Sequence, residues 1–295
     1  MSSLKPSAST MSELKIATRR SRLAISQAEW VASAISETHP GLEVSLVEVS
    51  TTGDRDRTSR VTVLTEVGAF VRAVQQAVLE GRADLAVHSC KDLPVEGPPD
   101  LIAVYPRREE PWDVLCGQDL DSLPTGARVG TGSPRRAAQM TRLRPDVQIE
   151  DVRGNVETRL EKVSSGEFDA VILAEAGLRR LGRKAEIGYR FDLEEMVPAP
   201  AQAALAVEAK VGSPAAEMAL SIDDLATRRA VEAERALLAY THAGCRSALG
   251  ALGSLDGSKI RLTGFVQDER GARYGEAEAT LPDTVARRLQ SVLGL

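Results

Sequence analysis

The sequence predicts an α/β protein: two α/β lobes with a cleft between them, plus a small α+β domain at the C-terminal end. Three observations carry that expectation. From Leu14 to about Leu181, short apolar runs alternate with helical patterns, the signature of βαβ units and mostly parallel sheets. The alternation forms two series, joined near Arg107 and Pro111. After Ser221 the pattern becomes one long helix, two strands and a last helix.

Residues 14–17 read as the first strand. Leu23, Gln27, Val31 and Ile35 then recur at helical spacing until His39-Pro40-Gly41 stops the helix. Residues 42–49 are strand-like, and residues 70–79 are helical and closed by Gly81. Residues 85–87 and 101–104 give the next strands. In the second series, strands fall at 114–116, 128–130, 147–151 and 170–173. Its helices start at Pro134 and span 156–165. Pro198-Ala199-Pro200 breaks the pattern, and 203–207 is expected to be a strand returning to the first lobe. In the third part a helix over 224–242 ends at Gly244, and strands at 260–266 and 272–279 flank a turn at 268–271. The expected domains are 13–108 together with 201–220, then 111–198, then 222–295.

Composition excludes several function classes. Hydrophobic residues are 43% and charged residues 27%, a balance that buries sizeable cores. No apolar run approaches the roughly 20 residues that span a bilayer. Residues 1–13 are polar, with no apolar stretch of the kind a secretory signal needs, so a cytoplasmic protein is expected. The net charge of −5 argues against a general affinity for nucleic acid, and 3% aromatic residues are too few for a base-stacking surface. Cys90, Cys116 and Cys245 are widely separated, with no paired metal-ligand spacing. Neither a metal site nor a disulfide framework is expected.

The informative pattern is positional. Ligands of open α/β sheets bind beyond the carboxyl ends of the strands, and the unusual polar groups fall there. Thr18-Arg19-Arg20-Ser21 follows the first strand, and His88-Ser89-Cys90-Lys91-Asp92 follows 85–87. Thr131-Gly132-Ser133-Pro134-Arg135-Arg136 follows 128–130, and Arg153-Gly154-Asn155 follows 147–151. An acidic protein that gathers arginines in one place reads as an anion site, because the guanidinium fork matches carboxylate or phosphate oxygens and stays charged. Helix N-termini at Ser21, Ser133 and Asn155 add backbone donors. No Walker-type loop occurs, so carboxylates are at least as good a match as nucleotide phosphates.

Each residue alone has a plainer reading. Ser21, Ser133 and Asn155 serve equally as helix caps, with Pro134 a common first helical residue. A single arginine at a helix start is usually solvated. His88 beside a buried strand is more often a satisfied core histidine, and Cys90 and Cys116 read as core thiols. The clustering outweighs these readings. Cys245 differs: it follows Gly244 on a loop beside Arg246, either as a buried structural thiol or as a nucleophile with thiolate character.

Taken together, the segments resemble the porphobilinogen deaminase (hydroxymethylbilane synthase) family. The matching stretches are Ile16-Ala17-Thr18-Arg19-Arg20-Ser21, Ala86-Val87-His88-Ser89-Cys90-Lys91-Asp92-Leu93-Pro94, Gly130-Thr131-Gly132-Ser133-Pro134-Arg135-Arg136, and Arg153-Gly154-Asn155-Val156-Glu157-Thr158-Arg159. Ala174-Glu175-Ala176-Gly177-Leu178-Arg179-Arg180-Leu181-Gly182 matches as well, as does Ala233-Glu234-Arg235 followed by Ala243-Gly244-Cys245. They stand in the family's order over most of residues 14–249.

The resemblance implies a transferase of tetrapyrrole and haem biosynthesis with two periplasmic-binding-protein-like lobes and a third domain. It implies a dipyrromethane cofactor held by a thioether to Cys245. Four porphobilinogens are added to that primer, each losing ammonia, and water releases the linear tetrapyrrole hydroxymethylbilane. Every pyrrole ring carries an acetate and a propionate, which gives the arginines a purpose. By the same resemblance Asp92 is the catalytic carboxylate. It stabilises the cation left when ammonia departs and helps move the proton lost on coupling. Arg19, Ser21, Lys91, Thr131, Ser133, Arg135, Arg136, Arg153, Gly154, Arg159 and Arg180 match cofactor- and substrate-binding positions. The resemblance also suggests a monomer and a hand-over to uroporphyrinogen-III synthase. A two-lobed anion-binding protein without chemistry, or a catalytically degenerate family member, is the alternative.

The chain departs from the family pattern in three ways. The glycine-rich lid reads Thr65-Glu66-Val67-Gly68-Ala69-Phe70, leaving Gly68 and Phe70 as its matching residues. A lysine common in that lid is missing. The Gly-Gln-Gly of the crossover reads Ala201-Gln202-Ala203. A side chain at any replaced glycine with positive φ costs roughly 1 kcal/mol or more.

Overall fold

The computed structural model describes residues 11–50, 63–241 and 248–295. The polar lead-in up to residue 10, and Gly244 and Cys245, lie outside the described residues.

Strand β1 (Glu13–Arg19) buries Leu14, Ile16 and Ala17 completely. Helix α1 (Arg22–Thr38) starts where the Ser21 hydroxyl accepts the Ala24 N–H. Its buried stripe of Gln27, Ala28, Val31 and Ile35 has the helical spacing read from sequence. Strand β2 (Glu43–Val49), helix α2 (Val63–Leu79), strand β3 (Leu85–Ser89) and strand β4 (Leu101–Val104) complete the first series. The second contains β5 (Asp113–Cys116), β6 (Arg128–Gly130), α3 (Pro134–Leu143), β7 (Gln148–Glu150), α4 (Val156–Ser164), β8 (Ala170–Ala174), α5 (Glu175–Arg180) and β9 (Ile187–Arg190). The chain then supplies β10 (Leu205–Lys210), α6 (Pro214–Leu220), α7 (Leu225–Tyr240), β11 (Ala248–Asp256), β12 (Lys259–Asp268), β13 (Gly271–Ala279) and α8 (Pro282–Leu293).

Two five-stranded sheets share one plan, in the orders β2-β1-β3-β10-β4 and β7-β6-β8-β5-β9. In each, three strands are parallel: β1 with β2 and β3, and β6 with β7 and β8. The sheets are mostly parallel, as expected, with one antiparallel strand apiece. β10 runs antiparallel to β3 and β4, and β5 runs antiparallel to β8 and β9. Each of these strands is the first after a crossover between lobes. It enters its sheet directly rather than through the long return that a parallel neighbour requires.

β10 is the strand expected to return to the first lobe, displaced to Leu205–Lys210. α5, β9, α6 and β11 escape the sequence reading. β11 is hidden by its glycines, which the packing requires. A Cβ on Gly250 would come 2.7 Å from Val197 O, and one on Gly253 would come 3.0 Å from the Ala230 backbone. The antiparallel sheet β11-β12-β13 packs on α7 and α8 through Leu237, Leu249, Ile260, Leu262, Val285, Leu289 and Leu293. No helix among the described residues is long and apolar enough to cross a membrane.

Candidate functional site

All four polar segments follow parallel strands at their carboxyl ends, on β1, β3, β6 and β7. After β3 the chain turns tightly: Cys90–Asp92 is a single 3-10 turn in which Leu93 N–H donates to Cys90 O (3.1 Å). The Cys90 N–H is tied to Ala204 O across the sheet (2.9 Å). The Cys90 side chain therefore points into the core, while Lys91 and Asp92 are half-exposed. Among the described residues the Asp92 carboxylate accepts no hydrogen bond, and Lys91 has no carboxylate within ion-pairing distance. Burial, reinforced by Arg136, pulls the Lys91 ammonium down to about 8, against the attraction of Asp92 and Asp113.

The second lobe answers with α3. Pro134 occupies its first turn, and Ser133 caps it by accepting the Arg136 N–H. The helix begins at the end of a sheet strand, so Arg135 and Arg136 are driven inward, and both are buried. They converge on Asp113, the first residue of β5. Arg135 Nη1 donates to Asp113 Oδ2 (2.7 Å) and Val197 O (2.7 Å). Arg136 Nε donates to Asp113 Oδ1 (2.8 Å) and its Nη1 to Ile172 O (2.9 Å). Burial pushes the Asp113 carboxyl up. The two guanidiniums, with hydrogen bonds from Arg135 and Gln202, outweigh it and hold the carboxyl well below the usual range. Two buried cations on one carboxylate leave excess positive charge. Arg159 adds to it, because Arg136 lies close enough to depress its guanidinium further after burial.

The remaining predicted residues divide. Thr131 is buried, and its Oγ1 accepts the Ser133 N–H (3.2 Å). Gly154 has φ +112°, and a Cβ there would meet Thr158 Cγ2 at 2.8 Å. That glycine sets the turn in which Asn155 caps α4 and Gly154 O accepts from Arg159 Nε (2.9 Å). Arg153 is exposed beside Asp151 (3.2 Å). Arg180 stands apart from the Lys91–Arg136 group, bonding Glu109 (2.9 Å) and Ala203 O (2.8 Å) at the crossovers. Arg19 lies with its guanidinium 4.2 Å from the centre of the Phe70 ring, and its buried Nε has no partner among the described residues.

The expected lid is a helix. α2 begins at Val63, so Gly68 and Phe70 sit within it rather than on a glycine-rich loop. Thr65 and Glu66 stand where the lid pattern has glycines, which removes a cost near 1 kcal/mol per position and lets the helix extend. Cys90 and Cys116 are core thiols, both pushed up to about 12, chiefly by burial. His88 is buried with Nε2 3.1 Å from Glu208, although without hydrogen-bond alignment; Glu208 also accepts from Gln75 (3.0 and 3.1 Å). A pocket of about 360 Å³ lies against the segment after Asp92. Its charged groups are occupied, Glu208 by Gln75 and Arg235 by the carbonyls of Leu93, Pro94 and Val95.

Sequence reasoning missed Asp113, Gln202, Arg108 and Glu234. Arg108 donates to Glu234 (2.6 and 3.2 Å) and to Gln202 O (2.7 Å). Glu234, fully buried on α7, also accepts the N–H groups of Ala201 (2.5 Å) and Gly253 (2.7 Å). One carboxylate thus ties both crossovers to the C-terminal sheet. The available signal was a charged residue opening an otherwise apolar strand at Asp113, and a glutamate on the apolar face of α7.

Two α/β lobes, crossed twice by the chain and gathering cations at their strand ends, define a two-lobed α/β protein built to receive an anion. Family models make the class specific. The porphobilinogen deaminase dipyrromethane cofactor binding domain matches residues 14–217, and the porphobilinogen deaminase C-terminal domain matches residues 228–291. The chain belongs to the porphobilinogen deaminase family. It is 43% identical over 274 residues to porphobilinogen deaminase of Roseiflexus castenholzii (strain DSM 13941 / HLO8), covering 90% of each chain. It is 44% identical over 278 residues to that of Stenotrophomonas maltophilia (strain K279a), covering 92% of this chain and 91% of the relative. Among solved structures, the periplasmic aliphatic sulphonate binding protein SsuA from Escherichia coli is similar with TM-score 0.41 and 14% identity, over 79% of this chain and 71% of that one.

Proposed function

We propose that this protein is a working porphobilinogen deaminase that condenses four porphobilinogens head to tail on a dipyrromethane primer and releases hydroxymethylbilane. The observation that carries the reading is the Lys91–Asp92 turn. Among the described residues its carboxylate accepts no hydrogen bond and its ammonium has no carboxylate partner, sharing only the Gln202 amide oxygen with Arg136 of the other lobe. A plain anion-binding protein has no use for Asp92 at that place.

The residues fit the cofactor. A dipyrromethane brings four carboxylates, and the buried Arg19 Nε, without a partner among the described residues, and the Lys91 ammonium are donors suited to such acceptors. Ser21 and Ser133, with the N–H groups of their helices, add neutral donors at the same strand ends. Cys245 is the attachment thiol. When bound, the cofactor would supply the first attacking pyrrole ring and the anchor from which the linear chain grows.

The chain's own work follows from charge. Arg19, Lys91, Arg136, Arg153 and Arg159 bind acetate and propionate groups. Arg135 holds Asp113 and so orients Arg136, and Arg180 holds the crossover through Glu109 and Ala203. Thr131 and Gly154 shape the helix starts, and Phe70 covers one face of Arg19. Asp92 accepts the pyrrole N–H of the substrate, stabilises the cation as ammonia leaves, and takes up the proton released on coupling. The domains are 13–108 with 201–220, 111–198, and 222–295, a division supported by the three separate sheets. We further propose a cytoplasmic monomer that hands its product to uroporphyrinogen-III synthase.

Intact mass under denaturing conditions tests this reading. Protein incubated with porphobilinogen should gain two porphobilinogens less two ammonias, and Cys245→Ser should gain nothing. Asp92→Asn should keep the fold and lower turnover roughly 10²–10³-fold. Turnover close to wild type would remove Asp92 from the mechanism. A bare-chain mass after incubation would defeat the enzyme reading itself.

A further inference from the structure

Gln202 is fully buried at the centre of the crossover that returns the chain to the first lobe, and the reading above gives its side chain no role. Its surroundings fix the amide's orientation. Nε2 donates to Pro111 O (2.8 Å) and Asp113 Oδ1 (3.0 Å), both acceptors. Oε1 lies 3.5 Å from Lys91 Nζ and 3.5 Å from Arg136 Nη2, both donors. A flipped amide would set its NH₂ against two cations and its oxygen against a carboxylate.

The result is a separation of charges. Lys91 of the first lobe and Asp113 of the second face the same amide from opposite ends, and among the described residues they form no ion pair. Direct contact would satisfy the ammonium and close it to any other anion. We propose that Gln202 is a positioning residue that spaces Lys91 from Asp113 and so keeps the ammonium open to the carboxylates of the growing pyrrole chain. The proposal rests on the reading of Lys91 as a carboxylate binder.

The charged groups bearing on Lys91 are Arg136 and Arg135 from α3, Asp113 from β5, and Asp92 from its own turn. Two cations oppose two anions there, and the environment is half-buried. The charge of Lys91 is therefore sensitive to any acceptor brought closer. A spacer that offers an amide oxygen at 3.5 Å stabilises the ammonium weakly, which leaves it a large gain on meeting a substrate carboxylate.

The test reads Lys91 directly. Competitive acetylation with acetic anhydride across pH, mapped by peptide mass spectrometry, gives the titration midpoint of Lys91 in the folded chain. The Cys245→Ser background keeps covalently held carboxylates away from it. Gln202→Glu places a carboxylate beside Lys91, and Gln202→Met, close in length, lets Lys91 close onto Asp113. In both, the midpoint should rise by at least one pH unit. With Cys245 restored, KM for porphobilinogen should rise at least tenfold, with a smaller change in kcat. If Gln202→Glu does not fold, Gln202→Met decides alone. A folded variant with the wild-type Lys91 midpoint overturns the spacer role. A shifted midpoint with unchanged KM supports the spacer and instead overturns Lys91 as a carboxylate binder.

Discussion

Ala201 and Ala203 have φ +60° and +69°, the left-handed region that costs an L-residue about 1–2 kcal/mol. The conformation persists because the surroundings over-determine it. Ala201 N–H is held by Glu234, Gln202 O by Arg108 and Ala203 O by Arg180. Ala203→Gly relieves one strained position but gives the unfolded chain more freedom, so the net gain should be at most about 1 kcal/mol. Urea denaturation measures it. A loss of more than about 1 kcal/mol would show that packing of the alanine methyl outweighs the strain. This position was legible in sequence as a departure from glycine, but its sign was not, since φ depends on three partners remote along the chain. Arg135 and Arg136 teach the same lesson. Their number and place were readable, whereas their commitment to Asp113 depends on β5 entering the sheet beside β8.

Among the elements, the strands and helices with clean periodicity were readable: α1 by Leu23, Gln27, Val31 and Ile35 at helical spacing, and α7 by its length. β11 was not, because Gly250 and Gly253 answer to close backbone approach rather than to strand propensity. α2 was read short because the family pattern directs attention to a lid, while the local residues favour helix. Gly154 is the clearest element-level dependence. It combines positive φ with a Cβ clash against Thr158, one turn into α4. Gly154→Ala should therefore destabilise by roughly 1–2 kcal/mol. It should also weaken porphobilinogen binding, because it shifts Arg153 and the Asn155 cap. Thermal melts and KM would check both. An unchanged KM in a destabilised variant would confine Gly154 to the fold.

At the scale of the whole molecule, polar contacts join the two lobes. Ser26 bonds Arg180 O (3.0 Å), Arg22 pairs with Glu157, and the Asp113 group reaches Lys91 through Gln202. The Asp113 cluster inside the second lobe depends on pH. The folded Asp113 carboxyl lies below its unfolded value near 3.9. Its contribution is therefore fully present above that value and is lost as pH falls through the folded one. The thermal midpoint should drop steeply below about pH 4, and Asp113→Asn, already weakened at neutral pH, should show a shallower acid slope. Equal slopes would place the acid sensitivity in other carboxylates. The two-lobed plan was legible because strand–helix alternation is local information. The reciprocal antiparallel strands β5 and β10 were less so, because pairing direction is decided by where a crossover lands.

Cys90 sits two positions before Asp92, inverted into the core among Val71, Leu93, Tyr105 and Val231, with its thiol held up to about 12 mainly by burial. The proposed chemistry generates a carbon electrophile beside Asp92 at every turn of elongation, and a thiolate is a far better trap for such a carbon than water. Facing the other way, Cys90 would be exposed to alkylation by that electrophile. The 3-10 turn that presents Lys91 and Asp92 to the substrate also rotates this sulfur out of its path. The same backbone geometry thus arms the site and protects it from its own intermediate.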